Sequence, residues 1–255
     1  MTQTDVATVD AVRADIGLVC ALPLELAAFL SRCQHVKKYT GGSFTFRGGL
    51  YDGIRIAVVE SGPGQSRAAR ATQALLDAHS PKWIISTGFA GALKHELKTG
   101  DLVVANRIVT TSGDELTIDV GMDSDAARGL HVGRLLTVDH MVRTIAEKKR
   151  LAEQTGALAV EMESFAVATV CQRAKTRCMA IRAISDDLSA DLPPEVLSLV
   201  GETGAVRFGA VIGSLFKRPS SIKDMWRLRE QAAVAADRLA DFLDGIVLQL
   251  HQAKS

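Results

Sequence analysis

KWIISTG, residues 82–88, is an apolar run closed by a glycine. A strand without polar alternation belongs in a sheet covered on both faces. Five further runs read the same way: IGLVCAL (16–22), GIRIAVVE (53–60), DLVVANRIVTT (101–111), GRLLTVD (133–139) and RCMAIRAIS (177–185). Between them, residues 23–32, 66–79, 142–154 and 161–175 carry apolar side chains at three- and four-residue spacing, as core-facing helices do. The alternation predicts a three-layer α/β fold with a central sheet flanked by helices. Asp52-Gly53, between SFTFRGGL and GIRIAVVE, is a hairpin signal, so the sheet is expected to be mixed.

With 255 residues, 47% of them hydrophobic, the chain can bury one substantial core. The expected organisation is a disordered segment over 1–14, one domain over 15–215 and a helical extension over 216–255. Lys plus Arg number 30 and Asp plus Glu 29, a formal net charge of +1, which gives no electrostatic reason to expect nucleic acid as a partner. Cys20, Cys33, Cys171 and Cys178 form no CxxC pair, and three of them lie in apolar surroundings typical of small buried residues, which suits a reducing compartment. No apolar run reaches the roughly 18–20 residues that span a bilayer. The start, MTQTDVATVDAVRAD, lacks the pattern of a signal peptide, so a cytoplasmic location is the expectation.

GDELTIDVGMDSDAARGLH (113–131) has no clear period and is expected to be a long loop or an excursion over a site. After KRPSS (217–221), Met225, Leu228, Ala232, Ala235, Leu239 and Phe242 fall near one helical stripe, which suits packing on the body or on a partner subunit. Lys217, Arg218, Lys223, Arg227 and Arg229 around Trp226 leave a second role open, peripheral adsorption to a membrane surface.

The chemistry-bearing segments lie at strand ends. ESGPGQSRAAR (60–70) follows a strand and opens a helix, so the backbone N–H groups around Ser61, Gly62 and Gly64 can hold an anion or a polar substrate edge. It is neither a complete GxGxxG nor a P-loop, and a plain glycine turn reads equally well. STGFAGAL (86–93), with Gly88 and Phe89, ends an apolar strand, where open α/β sheets bind ligands. In ALAVEMESFAVATVC (157–171), Glu161 and Glu163 interrupt an apolar strand-to-helix transition; buried they need partners, exposed they would serve the helix start. AIRAISDDLS (180–189) sets Arg182, Asp186 and Asp187 at the end of a strand, where one acid can donate a proton if burial raises its pKa, or Asp186 can cap a helix. Glu25 follows Pro23 in a first helical turn, a favourable place for an acid. None of the six histidines has a partner at ligand spacing such as HExxH, so no metal is expected.

Taken in order, IGLVCALPLELAAFL, VVESGPGQSRAA, WIISTGFAGAL, GDLVVA, ALAVEMESFAVA and IRAISDD make the chain resemble the methylthioadenosine/S-adenosylhomocysteine nucleosidase branch of the purine nucleoside phosphorylase superfamily, over about residues 15–212. The resemblance implies a phosphorylase/hydrolase-like fold, a homo-oligomer read as a dimer, and a purine nucleoside as substrate. It implies no metal or organic cofactor, with phosphate as co-substrate only in a phosphorylase. Asp186 then matches the acid that protonates purine N7. Glu163 matches the carboxylate that grips the ribose 2′- and 3′-hydroxyls, with Met162 against the sugar and Glu161 sharing the hydroxyl contacts. Glu25 matches the glutamate that positions or deprotonates the attacking water, with Arg182 near the same nucleophile.

The chain also departs from that pattern. Phe89 stands where relatives carry a small hydroxyl residue beside the nucleophile, and Ser86 lies near the place of the phosphate-binding Arg of phosphorylases. Met141, in TVDHMV, replaces an aromatic ring over the base. A short 114–133 region, a long tail after Lys217, DLPPEVL (191–197) and FKRPSSIKDMWRL (216–228) resemble the hopanoid-associated phosphorylase branch, whose reaction removes adenine from adenosylhopane. The expectation is hydrolysis of a 5′-substituted adenosine, with phosphorolysis as the alternative. Two rivals come from other classes: a catalytically silent nucleoside-binding protein and a membrane-adsorbing scaffold.

Overall fold

The computed structural model describes residues 13–194, 196 and 220–252. The expected disorder of 1–12, the reach of the domain to 215 and the KRPSS segment up to Pro219 lie outside the described residues. Ala14, assigned to the disordered segment, belongs to the body: it is buried, and its N–H donates to His79 O at 3.0 Å.

Three buried parallel strands form the middle of the sheet. β1 (Ile16–Cys20) lies between β4 (Ile54–Glu60) and β5 (Trp83–Ala92). β3 (Phe44–Tyr51) and β2 (Gln34–Gly41) continue antiparallel from β4 as a wing, with β2 an exposed edge. The β3–β4 turn is the expected Asp52-Gly53 hairpin, with φ of 48° and 78° at its two central residues. The sheet is therefore mixed, as anticipated.

β5 also pairs in parallel with β10 (Arg177–Asp186), and its last two residues pair antiparallel with β9 (Ala159–Glu161). From β10 the pairing runs through β6 (Leu102–Thr110) and β8 (Leu130–Thr137) back to β9. These five strands close into a ring around Ala90, Ala92, Val103, Ala105, Leu135, Ala159, Ala180 and Ile184. The 113–131 stretch is not all loop: β7 (Glu115–Thr117) pairs with β6, a 3-10 turn spans Ala126–Arg128, and Leu130 and His131 already belong to β8.

Helices cover both faces. α1 (Pro23–Arg32) and the long α5 (Ser220–Gln252) pack on Leu18, Ile56, Val58 and Ile85 through Leu26, Phe29, Leu239, Leu243 and Val247. Each such fully buried Leu or Phe contributes about 1.5–3 kcal/mol. α2 (Gln65–His79) and α4 (Ser164–Ala174) cover the other face with Ala68, Ala71, Leu75, Val167 and Cys171. α3 (Ile145–Thr155) sits over Leu136, Val138 and Val160. Of the expected C-terminal stripe, Ala235 and Leu239 are in the core and Phe242 is half-buried against it, whereas Leu228 and Ala232 are half-buried outside the cluster, which instead runs on through Leu243, Ile246 and Val247; the side chain of Met225 lies outside the described residues. Arg32 fastens the helix to α1 by ion pairs to Asp241, at 2.7 Å, and to Asp244. Among the described residues no helix is long and apolar enough to cross a membrane.

Candidate active site

The ends of β1, β5, β9 and β10 place Glu25, Glu161 and Glu163 around Arg182, while Asp186 lies farther along β10, opposite Gly91. The foundation of the site is a buried ion pair. Arg182, 2% exposed, donates from Nη2 to Glu161 Oε2 at 2.6 Å, Ser164 Oγ at 2.9 Å and Ser86 Oγ at 3.0 Å, and from Nε to Glu161 Oε2 at 3.1 Å. Glu161 also accepts the N–H groups of Glu163 (3.0 Å) and Ser164 (2.9 Å), which caps the start of α4, and the Thr137 hydroxyl at 2.5 Å. Both of its oxygens are thus occupied from inside the protein. Burial opposes the Arg182 charge, but Glu161 and Glu163 outweigh it and push its pKa up.

Glu163, also buried, stands at the N-cap of α4 and reaches across to α2, where its Oε1 accepts the Gly64 N–H at 2.8 Å. The helix start expected to hold an anion holds the protein's own carboxylate. Its Oε2 lies 3.9 Å from Arg182 Nη2. Burial and the neighbouring Glu161 charge push the Glu163 carboxyl up to about 8, against the opposing pull of Arg182.

Glu25 is held by three backbone donors: Ala21 N–H (2.9 Å) and Leu22 N–H (2.8 Å) on Oε2, and Phe89 N–H (3.0 Å) on Oε1. Burial raises its pKa, although these N–H groups and Arg182 counteract it. The contact to Phe89 requires glycine at 88. A Cβ there would stand 2.6 Å from Glu25 Oε1, and φ is +151°. Two of the donors belong to the helix entry, so the local role foreseen for Glu25 and its reach into the site coexist.

A bulge between Ile184 and Asp186 sets Asp186 opposite Gly91 of β5. Ser185 Oγ donates to Asp186 Oδ1 at 2.8 Å, and Lys148 Nζ lies 2.5 Å from Oδ2. Lys148 was not singled out from the sequence. The signal was a lysine on the apolar stripe with Ile145, Leu151 and Ala152, which the surface-like string EKKR conceals.

The family model described as "Phosphorylase superfamily" matches residues 15–129 and 121–216. The chain belongs to the phosphorylase superfamily. Its relatives in that superfamily include the 5′-methylthioadenosine/S-adenosylhomocysteine nucleosidase of Aeromonas salmonicida, 31% identical over 67% of this chain and 85% of the relative. The enzyme of the same name from Mycobacterium bovis is 27% identical over 74% and 92%. Two solved Helicobacter pylori structures share the fold. A nucleosidase of that name with a bound pyrrolidine compound has TM-score 0.69, 22% identity and coverage of 93% of this chain and 99% of that one. A futalosine hydrolase has TM-score 0.69, 21% identity and coverage of 94% and 99%. The anticipated enzyme class, cleavage of a purine nucleoside, agrees with these names.

The remaining candidate positions of this superfamily member lie in or shortly after β4, β5, β8 and β9. Ser61 is fully buried with Oγ 3.1 Å from Cys20 O, and Gly62, at φ +71°, has Arg67 folded over it. Phe89 and Met162 are half-buried, turned into the apolar clusters beneath α5 and α3 respectively. Met141 is half-buried just before α3. Ser86, with no exposed surface, is spent on Arg182 and Ser164. Among the described residues no cluster of His, Cys, Asp or Glu could hold a metal ion.

Proposed function

We propose that this protein hydrolyses the N-glycosidic bond of a 5′-substituted adenosine and releases adenine. One observation carries the choice of water over phosphate: the carboxylate of Glu25, fixed by three backbone N–H groups, occupies the nucleophile side, while the nearby cation, Arg182, has its guanidinium committed to Glu161. Among the described residues the cation beside Glu25 is Arg182, already paired, so a phosphate dianion there would face a carboxylate, whereas water finds a base whose raised pKa suits proton abstraction.

In this reading Glu25 orients and deprotonates water, and Asp186 protonates the departing base at N7. Glu163 holds the ribose hydroxyls by hydrogen bonding, with Met162 against the sugar and Met141 toward the base. Gly88, the Phe89 N–H and Gly64 set the positions of Glu25 and Glu163, with Ser61 and Gly62 shaping the turn before Gly64. Arg182 and Glu161 act through them as positioning residues. The assignment includes a homodimer, a cytoplasmic location and no cofactor, and light scattering of the purified protein tests the dimer.

A second reading, phosphorolysis of a lipid-linked adenosine such as adenosylhopane, draws on one observation: Trp226 is 66% exposed near the start of α5, with Arg229 at 5.8 Å from its ring, an arrangement suited to peripheral membrane contact. Chromatography of products from methylthioadenosine, S-adenosylhomocysteine, adenosine and inosine, each with and without phosphate, separates the readings. Free ribose product independent of phosphate supports hydrolysis, and ribose-1-phosphate formed only with phosphate replaces it by phosphorolysis. No base from any of the four, but adenine from adenosylhopane in vesicles, supports the lipid substrate. No base from any substrate leaves a nucleoside-binding protein.

A further inference from the structure

Lys148 is 1% exposed in a helix face that an apolar residue would complete. Its ammonium has three N–H donors, and three oxygens meet it: Asp186 Oδ2 at 2.5 Å, Asp187 O at 3.1 Å and Asp186 O at 3.3 Å. The strand beneath is hollowed for the pair. A Cβ on Gly91 would stand 2.9 Å from Asp186 Oδ2, 3.3 Å from Lys148 Cε and 3.4 Å from Nζ. The two elements carrying the pair are also tied together: Ile145 N–H donates to Asp191 Oδ1 at 2.7 Å and Leu192 N–H to Arg143 O at 2.9 Å.

Stability does not account for this arrangement. Desolvating a lysine and a carboxylate costs several kcal/mol per ion, and well-packed apolar replacements of buried ion pairs are often neutral or stabilising. The pair does, however, stand where the leaving-group acid is assigned.

We propose that Lys148 is a positioning residue for that acid: it fixes the Asp186 carboxyl and offsets the negative charge that develops on it as its proton passes to the base. The proposal rests on the nucleosidase reading above. The carboxylate of the resting pair first takes a proton from solvent; in the step, that Asp186 O–H bond breaks as N7–H forms, and the C1′–N9 electron pair leaves with the base. Asp186 becomes a carboxylate beside an ammonium that is already in place. Lys148 gives up no proton, and its effect is large only because water is excluded around it.

The test compares the wild type, Lys148→Met and Lys148→Arg on two substrates. One is methylthioadenosine, whose base needs a proton to leave. The other is the matching 5′-methylthio p-nitrophenyl riboside, whose nitrophenolate leaves without one. Lys148→Met should lower kcat on the nucleoside by about tenfold or more and leave the nitrophenyl substrate within about twofold, with Lys148→Arg recovering part of the nucleoside rate. Equal losses on both substrates in both variants would mean a merely structural role and overturn the proposal, as would unchanged turnover of the nucleoside in Lys148→Met. Wild-type protein inactive on both substrates would bring down the nucleosidase reading itself, and the proposal with it.

Discussion

Replacing Glu163 by glutamine removes a titrating group and keeps an oxygen for the Gly64 N–H. In the folded protein the Glu163 carboxyl holds its proton up to about 8, because burial and the Glu161 charge disfavour the anion, against an ordinary value of 4.5. The folded state therefore binds more protons than the unfolded one between these values. Its contribution to stability is fully present below pH 4.5 and is lost as pH rises through about 8. A group wholly inside such a window changes stability by about 1.4 kcal/mol per pH unit. Allowing for the ends of the window, the wild type should lose about 2–3 kcal/mol relative to Glu163→Gln between pH 5.5 and 7.5. Urea unfolding of both proteins at half-unit steps across that range measures the difference directly, since the other titrating groups are common to both. Parallel stability curves would refute the reasoning, and so would a gap that widens in the wild type's favour as pH rises.

Arg182→Met strands the buried Glu161 carboxylate, and thermal or urea unfolding should report a loss of about 3–5 kcal/mol; a loss below about 1 kcal/mol would remove the ion pair as the foundation of the site. Gly88→Ala should keep the native circular dichroism yet lower turnover by at least about tenfold, because the new Cβ displaces Glu25 Oε1 from 2.6 Å away. Glu25→Gln should reduce hydrolysis by about a hundredfold or more while substrate binding, followed calorimetrically, persists; full turnover in this variant would return the nucleophile to another group. For Asp186→Asn a comparable drop is expected on a purine nucleoside, and an unchanged rate would exclude it as the acid.

Much of the fold is legible in the sequence because local signals and burial agree. Residues 23–32 form the expected helix since Pro23 opens it and its apolar stripe is undiluted. The Asp52-Gly53 turn is specified by its own φ preferences. The strand-to-helix transition read in ALAVEMESFAVATVC is present, with β9 ending at Glu161 and α4 beginning at Ser164, three residues later than the helical spacing over 161–175 suggests. The site is legible in a different way. Its acidic residues stand out as candidates, but the commitments of each do not: Glu161 meets Thr137 and Arg182, Glu163 meets Gly64, and Asp186 meets Lys148, all from elements distant in the chain. Spacing along one segment carries no information about such partners. Glycine carries some, and Gly88 and Gly91 are places where β5 makes room for an acid from elsewhere.

The strand ring has a consequence for how the molecule is assembled. Its seam joins Trp83 to Arg177 and Gly91 to Asp186, residues more than ninety positions apart. Closing so long a loop costs entropy before any pairing repays it, so the seam should form late among folding events. Arg182 and Asp186 ride on β10, so Arg182 reaches Ser86 and Asp186 comes opposite Gly91 only when the seam shuts, and until then the foundation under Glu161 is incomplete. A chain stalled before that event would not be a weak catalyst. It would hold unpaired acidic side chains and an open strand edge, a species more prone to aggregate than to turn over substrate.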